Sequence, residues 1–217
     1  DTVEGKTGKY VEGSRDALWS NKEKRNIRGV NVVSLNYSDG YSNFMLDFAI
    51  SMGKYARVKF EEFTQELDFR STAYKRRLEI MDGKSQIAID MVKRAIKSGI
   101  YADYLLVDSW YSKPVFIKEM NGLGLKVISR IANNNKIWNF TDKEKTLNAI
   151  YEKYKNLKKE KAGKYGKKIQ FKYFSVTVEH KNAGKLKIVF IKTSDNLIPI
   201  VSTDLEINDE EIIEIYK

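Results

Sequence analysis

The chain has 217 residues, 42% hydrophobic and 12% aromatic, enough to build a packed core and to exclude a globally disordered protein. With no cysteine and one histidine, His180, it excludes disulfide scaffolds, thiolate metal sites and most histidine-rich zinc hydrolases. Lys and Arg number 39 against 29 Asp and Glu, a formal charge of +10 that favours a polyanionic partner, nucleic acid being the commonest.

No apolar run of about 18 residues occurs, so no membrane contact by a spanning helix is expected, and no signal-peptide pattern opens the sequence. Residues 1–26 are polar, contain Gly5, Gly8 and Gly13, and read as loop, with Asp1 at the head of DTVEGKTGK. Within that loop and just after it lie Lys22, Lys24, Arg25 and Arg28, either a clamp for phosphates or an ordinary solvated segment. Val30, Val32, Val33, Leu35 and Tyr37 then mark one strand, and Phe44, Leu46, Phe48 and Ile50 alternate in the next. Between them Tyr37-Ser-Asp-Gly-Tyr41 carries turn chemistry, which makes a hairpin.

The charged stretch from Lys54 to Arg77 reads as loop plus a short helix. From Lys84 the helical period is plain: Ile87, Met91 and Ala95 join Ala88, Val92 and Ile96 in one stripe, and Gly99 stands where a terminating glycine belongs. Tyr104 to Val107 is a short continuous apolar run, the pattern of a strand buried on both faces, and it ends on Asp108. A helix from about Lys113 to Asn121 follows, then Gly122 and a strand from Leu125 to Ile131, an order that predicts parallel pairing through a right-handed crossover. A carboxylate at the C-terminal lip of such a strand is where open α/β sheets place working residues. The alternative is that Asp108 simply caps the helix.

After Asn133-Asn134-Asn135 the character changes. Residues 142–160 read as a lysine-rich helix with Leu147, Ile150, Tyr151, Tyr154 and Leu157 on one side. Strands are expected at 169–179, 185–192 and 197–202, the last an edge strand because of Pro199. His180 reads as a surface residue of a strand. A helix begins at Asn208, with Asn208 as cap and Glu210, Glu211 and Glu214 as partners of the helix dipole. Nine Lys and one acid, Glu160, lie between Lys153 and Lys172, either a solvated helix face or a surface that follows a nucleic-acid backbone.

The order hairpin, helix, strand ending in Asp, further α/β unit, is that of RNase H-like nucleases, an α/β class with a mixed sheet and flanking helices. VDSWYSKP, ending at Pro114, closely resembles the second-aspartate motif of DDE-type bacterial insertion-sequence transposases, the cut-and-paste kind. DTVEGKTGK resembles their first-aspartate motif, in which the Asp ends the first strand. The resemblance implies a catalytic core over residues 1–135, its first strand preceding Asp1. It further implies a basic helix with a β-rich insertion over 136–207, and at 208–217 the start of the helix that carries the third acid. Tyr216 matches the Tyr of the family's Tyr-x2-Arg-x3-Glu signature, which places the Arg and Glu past Lys217, so that the sequence is expected to be a piece of a longer transposase.

The same resemblance implies that Asp1 and Asp108 are catalytic ligands of Mg²⁺ or Mn²⁺. In such sites two ions lie roughly 4 Å apart, one activating the attacking water or 3′-hydroxyl and one steadying the leaving oxygen. Trp110 and Tyr111 either stack on a displaced base or pack in the wall of the site. Lys158, Lys159, Lys161, Lys164, Lys167 and Lys168 are expected to follow the DNA backbone. The implied partners are double-stranded DNA, both transposon ends and target, and a second copy of the chain in a synaptic homodimer, in the bacterial cytoplasm at the nucleoid. Two other readings remain: a non-catalytic basic nucleic-acid-binding module on the same scaffold, and a metal-dependent nuclease without strand transfer.

Overall fold

A computed structural model describes residues 2–5, 14–52, 66–132, 146–157, 160–165 and 169–216. The chain forms two compact units, Asp1–Tyr101 and Ala102–Lys217. In both, strands and helices are interspersed, and the architecture is α/β, RNase H-like, with a mixed sheet and flanking helices.

The first unit is built on β3 (Arg25–Ser38), which pairs antiparallel with β1 (Thr2–Gly5), β2 (Arg15–Ser20) and β4 (Asn43–Ile50). Gly29 pairs with Gly5 and with Arg15, and Val32 with Thr2 and with Ile50. Strand β1 therefore occupies one edge of β3, while β2 and β4 follow each other along the opposite edge. A side chain at Gly29 would collide with the Glu4 carbonyl, so only glycine lets β1 approach. The expected loop over residues 1–26 is thus two strands, with residues 6–13 outside the described ones. They escaped sequence reading because β2 buries little beyond Leu18 and Ser20, and because its register shifts between Arg15 and Leu18, where Ala17 adopts φ 58°. The hairpin of β3 and β4 forms as expected. Asp39 Oδ1 accepts from the backbone N–H groups of Tyr41 (2.9 Å) and Ser42 (2.6 Å), and Gly40 takes φ 89°.

Helix α1 (Thr72–Leu78) is capped by Ser71, whose hydroxyl accepts from the Tyr74 N–H, and a 3-10 turn over Glu79–Met81 leads to α2 (Lys84–Lys97). Residues 53–65 of the charged stretch lie outside the described ones. The buried stripe Ile87, Met91 and Val92, joined by Ile89, packs α2 on β3 and β4, and Gly99 (φ 82°) follows its C-cap as expected. One polar network ties these helices to the sheet. Asp47 of β4 takes Arg94 Nη2 at 2.7 Å and also Arg76, while Glu79 takes Arg76 Nη1 at 3.1 Å and also Arg94. The two carboxylates are largely buried, their side chains 13% and 16% exposed.

The second unit holds β5 (Tyr104–Val107), α3 (Pro114–Gly122), β6 (Lys126–Arg130), α4 (Leu147–Tyr154), β7 (Lys161–Tyr165), β8 (Ile169–His180), β9 (Gly184–Lys192), β10 (Leu197–Ser202) and α5 (Asp209–Ile215). Its sheet runs β5-β6-β10-β9-β8-β7, with β5 and β6 parallel and every other pair antiparallel. Strands 7 to 10 therefore extend the same sheet as β5 and β6. On one side Ile128, Tyr173, Val189 and Ile200 pack with Ile212 and Ile213 of α5; elsewhere Tyr151 of α4 stacks on Phe174 (ring centroids 5.6 Å apart) and lies against Phe190.

Four expectations are corrected here. Strand β10 is not an edge strand: it lies between β6 and β9. Pro199 is tolerated because its carbonyl, and hence its missing N–H, faces the β6 side just beyond the last paired residue, Ile200, where Ile131 N–H donates to the Pro199 carbonyl at 2.9 Å. Conversely β5 is a sheet edge and is not buried on both faces; Leu106 is 47% exposed. His180 is 4% exposed, its Nδ1 accepting from the Asn182 N–H at 3.1 Å in the β8–β9 turn, and burial lowers its pKa. The glycine that ends α3 is Gly124 (φ 79°), since Gly122 still belongs to the helix.

Asp47→Ala is expected to destabilise the protein by about 2 kcal/mol, the range for hydrogen bonds to charged groups, because Arg76 and Arg94 lose a largely buried partner. Burial pushes the Asp47 pKa up, but Arg76 and Arg94 outweigh it and hold the folded value below the usual carboxylate range. The stabilisation is therefore present above the unfolded pKa and fades as pH falls through the lowered folded one. Urea unfolding at pH 7 and at pH 3 measures this; equal midpoints for variant and parent at pH 7 would contradict it.

Candidate active site at the β5 lip

Strand β5 has only four residues, and its parallel register with β6 sets Val107 opposite Ser129. That places Asp108 just past the last rung, at the C-terminal lip. Two hydrogen bonds hold the backbone here. The Tyr216 hydroxyl, at the end of α5, donates to the Val107 carbonyl at 3.2 Å. The Asp108 carbonyl accepts from the Tyr111 N–H at 3.2 Å; the fully buried Ser129 hydroxyl lies 3.5 Å from it and makes its shorter bond, 3.0 Å, to the Arg130 carbonyl.

Asp108 does not cap the helix. Helix α3 starts at Pro114 with Lys113 as N-cap and no side-chain cap bond, and proline suits that first position because it lacks the N–H that would go unpaired. Asp108 Oδ1 instead accepts from the Trp110 N–H at 2.8 Å, an Asx turn that reverses the chain directly after the strand. The carboxylate is exposed, and among the described residues nothing is hydrogen-bonded to Oδ2.

The two aromatic residues beside it take opposite directions. Trp110 is 55% exposed, with Lys113 Nζ 5.2 Å from its ring centroid. Tyr111 turns inward, 7% exposed, its ring 6.0 Å from that of Phe116, which makes it wall. Its hydroxyl is buried without a hydrogen-bond partner among the described residues, and so is that of the adjacent Ser112. Burial, and then the Asp108 charge, push the Tyr111 phenol up to about 12. Burial also raises Tyr216; the Arg130 backbone offsets part of this and the Asp108 charge adds to it.

Asp1 lies outside the described residues, as do Lys158, Lys159, Lys167 and Lys168. In the first unit, Lys22 is exposed in the turn that joins β2 to β3; Lys24 closes that turn with φ 55°, its N–H donating to the Ser20 carbonyl at 2.8 Å. Arg25 pairs with Glu23 at 2.6 Å and Arg28 with Asp16 at 3.6 Å. The exposed Trp19 (55%) stands beside the turn with its indole N–H on Asn21 Oδ1 at 3.1 Å, a contact that sequence reading did not single out. In the second unit, Lys161 and Lys164 lie on β7, the sheet edge opposite β5, five strand spacings or roughly 24 Å away along the hydrogen-bonding direction. Lys161 meets Glu210 at 3.0 Å. Glu210 also accepts from the Tyr173 hydroxyl at 2.6 Å; that phenol and Lys161 together draw its pKa down to about 2. Asn208 caps α5 as expected, accepting from the Glu211 N–H at 2.7 Å.

Among the described residues no group of three or more His, Asp or Glu side chains forms a metal site. Asp108 offers one exposed carboxylate, with Oδ1 oriented by the backbone and Oδ2 without a donor among the described residues, the type of oxygen ligand that hard divalent cations take.

A mixed α/β scaffold with a carboxylate at the end of a parallel strand has the RNase H-like architecture. The chain belongs to the DDE superfamily endonuclease family, whose model matches residues 1–172, and it contains a DDE-type transposase/endonuclease domain. Comparison with curated proteins finds no match. Among the described residues no helix is long and apolar enough to cross a membrane.

Tyr111→Phe removes the orphaned hydroxyl and keeps the ring. It is expected to raise stability by about 1 kcal/mol, the lower end of the cost of an unsatisfied buried polar group. Alkaline titration followed by phenolate absorbance should lose one tyrosine that titrates near 12. A destabilised variant would mean that the hydroxyl has a partner in solution.

Proposed function

We propose that the chain is the catalytic domain of an insertion-sequence transposase, which hydrolyses phosphodiesters at transposon ends and joins the freed 3′-hydroxyl to target DNA. The observation that supports this most is Asp108, exposed at the lip of β5 and held by an Asx turn, in a chain of the DDE superfamily endonuclease family.

In this reading Asp108 and Asp1 hold Mg²⁺ or Mn²⁺. The bound metal lowers the pKa of the attacking water or 3′-hydroxyl and stabilises charge on the leaving oxygen. The protein's share is orientation. The Trp110 N–H fixes Asp108 Oδ1, leaving Oδ2 for the ion, and the Tyr216 hydroxyl anchors the strand end through the Val107 carbonyl. Trp110 offers an exposed aromatic face next to the carboxylate, suited to stacking on a base, and Lys113 above it adds positive charge for a phosphate. No protein nucleophile takes part, consistent with the absence of cysteine from the sequence. Lys22, Lys24, Arg25, Arg28 and the lysines from Lys158 to Lys168 contact the DNA backbone, and the active assembly is a homodimer that pairs two transposon ends in the bacterial cytoplasm.

Asp108→Asn keeps the acceptor that the Trp110 N–H uses and removes the charge. In the full-length transposase it should lower metal-dependent cleavage of element ends by more than about 100-fold, since even residues behind a metal ligand cost 10- to 100-fold. Duplex binding should stay within about twofold, because a single uncharged substitution at the lip removes no phosphate contact. Retained cleavage would overturn the assignment. Lost cleavage with nicked but never joined products in the parent would make the protein a nuclease without strand transfer.

A further inference from the structure

The register of β8 and β9 sets Lys172 directly opposite Lys192, and both are exposed. Like charges facing each other across an antiparallel pair destabilise it. Further along the same two strands the other row with two charged residues joins Glu179 to Lys185, a compensating pair. Glu160 reaches Lys172 at 3.2 Å, but among the described residues no carboxylate lies within ion-pair distance of Lys192.

These two lysines line a cleft of about 610 Å³. Its floor is apolar: Phe171 lies across Gly163 in the facing strand, so closely that any side chain at Gly163 would strike the ring. Its rim is the turn after β9, where Thr193 and Ser194 also line the cleft. That turn is held shut, the Thr193 hydroxyl accepting from the Asn196 N–H at 3.0 Å and donating to its carbonyl at 3.2 Å. The Ser194 hydroxyl donates to Asp195 Oδ2 at 2.9 Å, and Asp195 itself does not line the cleft. No carboxylate is among the lining residues.

We propose that this cleft is a phosphodiester subsite for the DNA backbone, one phosphate bridging Lys172 and Lys192 on the sheet face that the two share. An anion between the lysines turns a cross-strand repulsion into two charge-assisted contacts, and lysine ammonium groups serve as point-charge phosphate binders without base preference. The subsite rests on the DNA-acting reading above. It adds Lys192, which lies outside the basic run that ends at Lys172; the two lysines are twenty residues apart and meet only through strand register.

Fluorescence anisotropy with a 20-bp duplex of random sequence, across a NaCl series, tests it on the full chain. Each phosphate contact contributes about 0.9 to the slope of log K against log salt. Losing this one phosphate, in Lys172→Gln with Lys192→Gln, should therefore lower the slope magnitude by about 0.9, and Lys192→Gln alone should account for part of that drop. The charge-matched control, Lys181→Gln with Lys185→Gln at the other end of the same strands, should leave the slope unchanged. The melting temperature of Lys192→Gln should hold or rise, since repulsion is relieved, which separates lost contact from lost fold. A slope unchanged by Lys192→Gln, or lowered as much by the control pair, overturns the subsite while leaving DNA binding intact. A parent chain that binds no duplex overturns the DNA-acting reading and the subsite with it.

Discussion

The parallel pairing of β5 with β6 is the constraint on which the candidate site depends. Four residues of strand are too few to hold a position alone, and β5 has a paired neighbour on one side only. The pair is pinned at both ends. At the N-terminal end the buried Asp204 accepts from the Tyr104 hydroxyl (3.0 Å) on β5 and from Lys126 Nζ (2.6 Å) on β6. Lys126, then burial opposing it, leave the Asp204 pKa lowered, so this clamp is charged at neutral pH. At the C-terminal end the Tyr216 hydroxyl holds the Val107 carbonyl and the Tyr111 N–H holds that of Asp108. Asp108 thus gains a defined position from polar contacts, while its own carboxylate remains exposed.

The same sheet explains how a small unit carries both a lip and a basic edge. Because β10 inserts antiparallel beside β6, the strands after residue 160 continue the sheet away from β5. The carboxylate and the lysine-bearing strands β7, β8 and β9 are rigidly related through backbone hydrogen bonds within the second unit. Helix α5 closes one face of it through Ile212 and Ile213, and Lys187 ties the start of that helix down through Asp209 (3.0 Å) and the Ile207 carbonyl (2.6 Å). The helix is therefore held at its start by Lys161 of β7 and Lys187 of β9, and at its end Tyr216 reaches the Val107 carbonyl of β5.

Much of this was legible in the sequence where local rules decide. The β3–β4 hairpin follows from Asp39 and Gly40, α2 from its apolar stripe, and the parallel β5–α3–β6 unit from order alone. What escaped was set by non-local pairing. Pro199 looked like an edge signal because the sequence does not show that its missing N–H falls just past the end of a ladder. Tyr104 to Val107 looked doubly buried because an edge strand and a central one share the same short apolar run. His180 and the Lys172–Lys192 pair depend on register across a hairpin, which composition does not encode. Asp108 was found through its motif and its place after a strand; that it closes an Asx turn and leaves the helix cap to Lys113 required coordinates.

Direct metal binding at Asp108 tests the central claim most closely, free of any knowledge of the DNA substrate. Electron paramagnetic resonance of Mn²⁺ titrated into the chain reports bound ion by loss of the free-ion signal. The account predicts saturable Mn²⁺ binding that Mg²⁺ competes away and that Asp108→Asn weakens severely, with the folded spectrum in circular dichroism unchanged. Equal Mn²⁺ binding by the parent and by Asp108→Asn would contradict it, leaving Asp108 as the acceptor of a turn and nothing more.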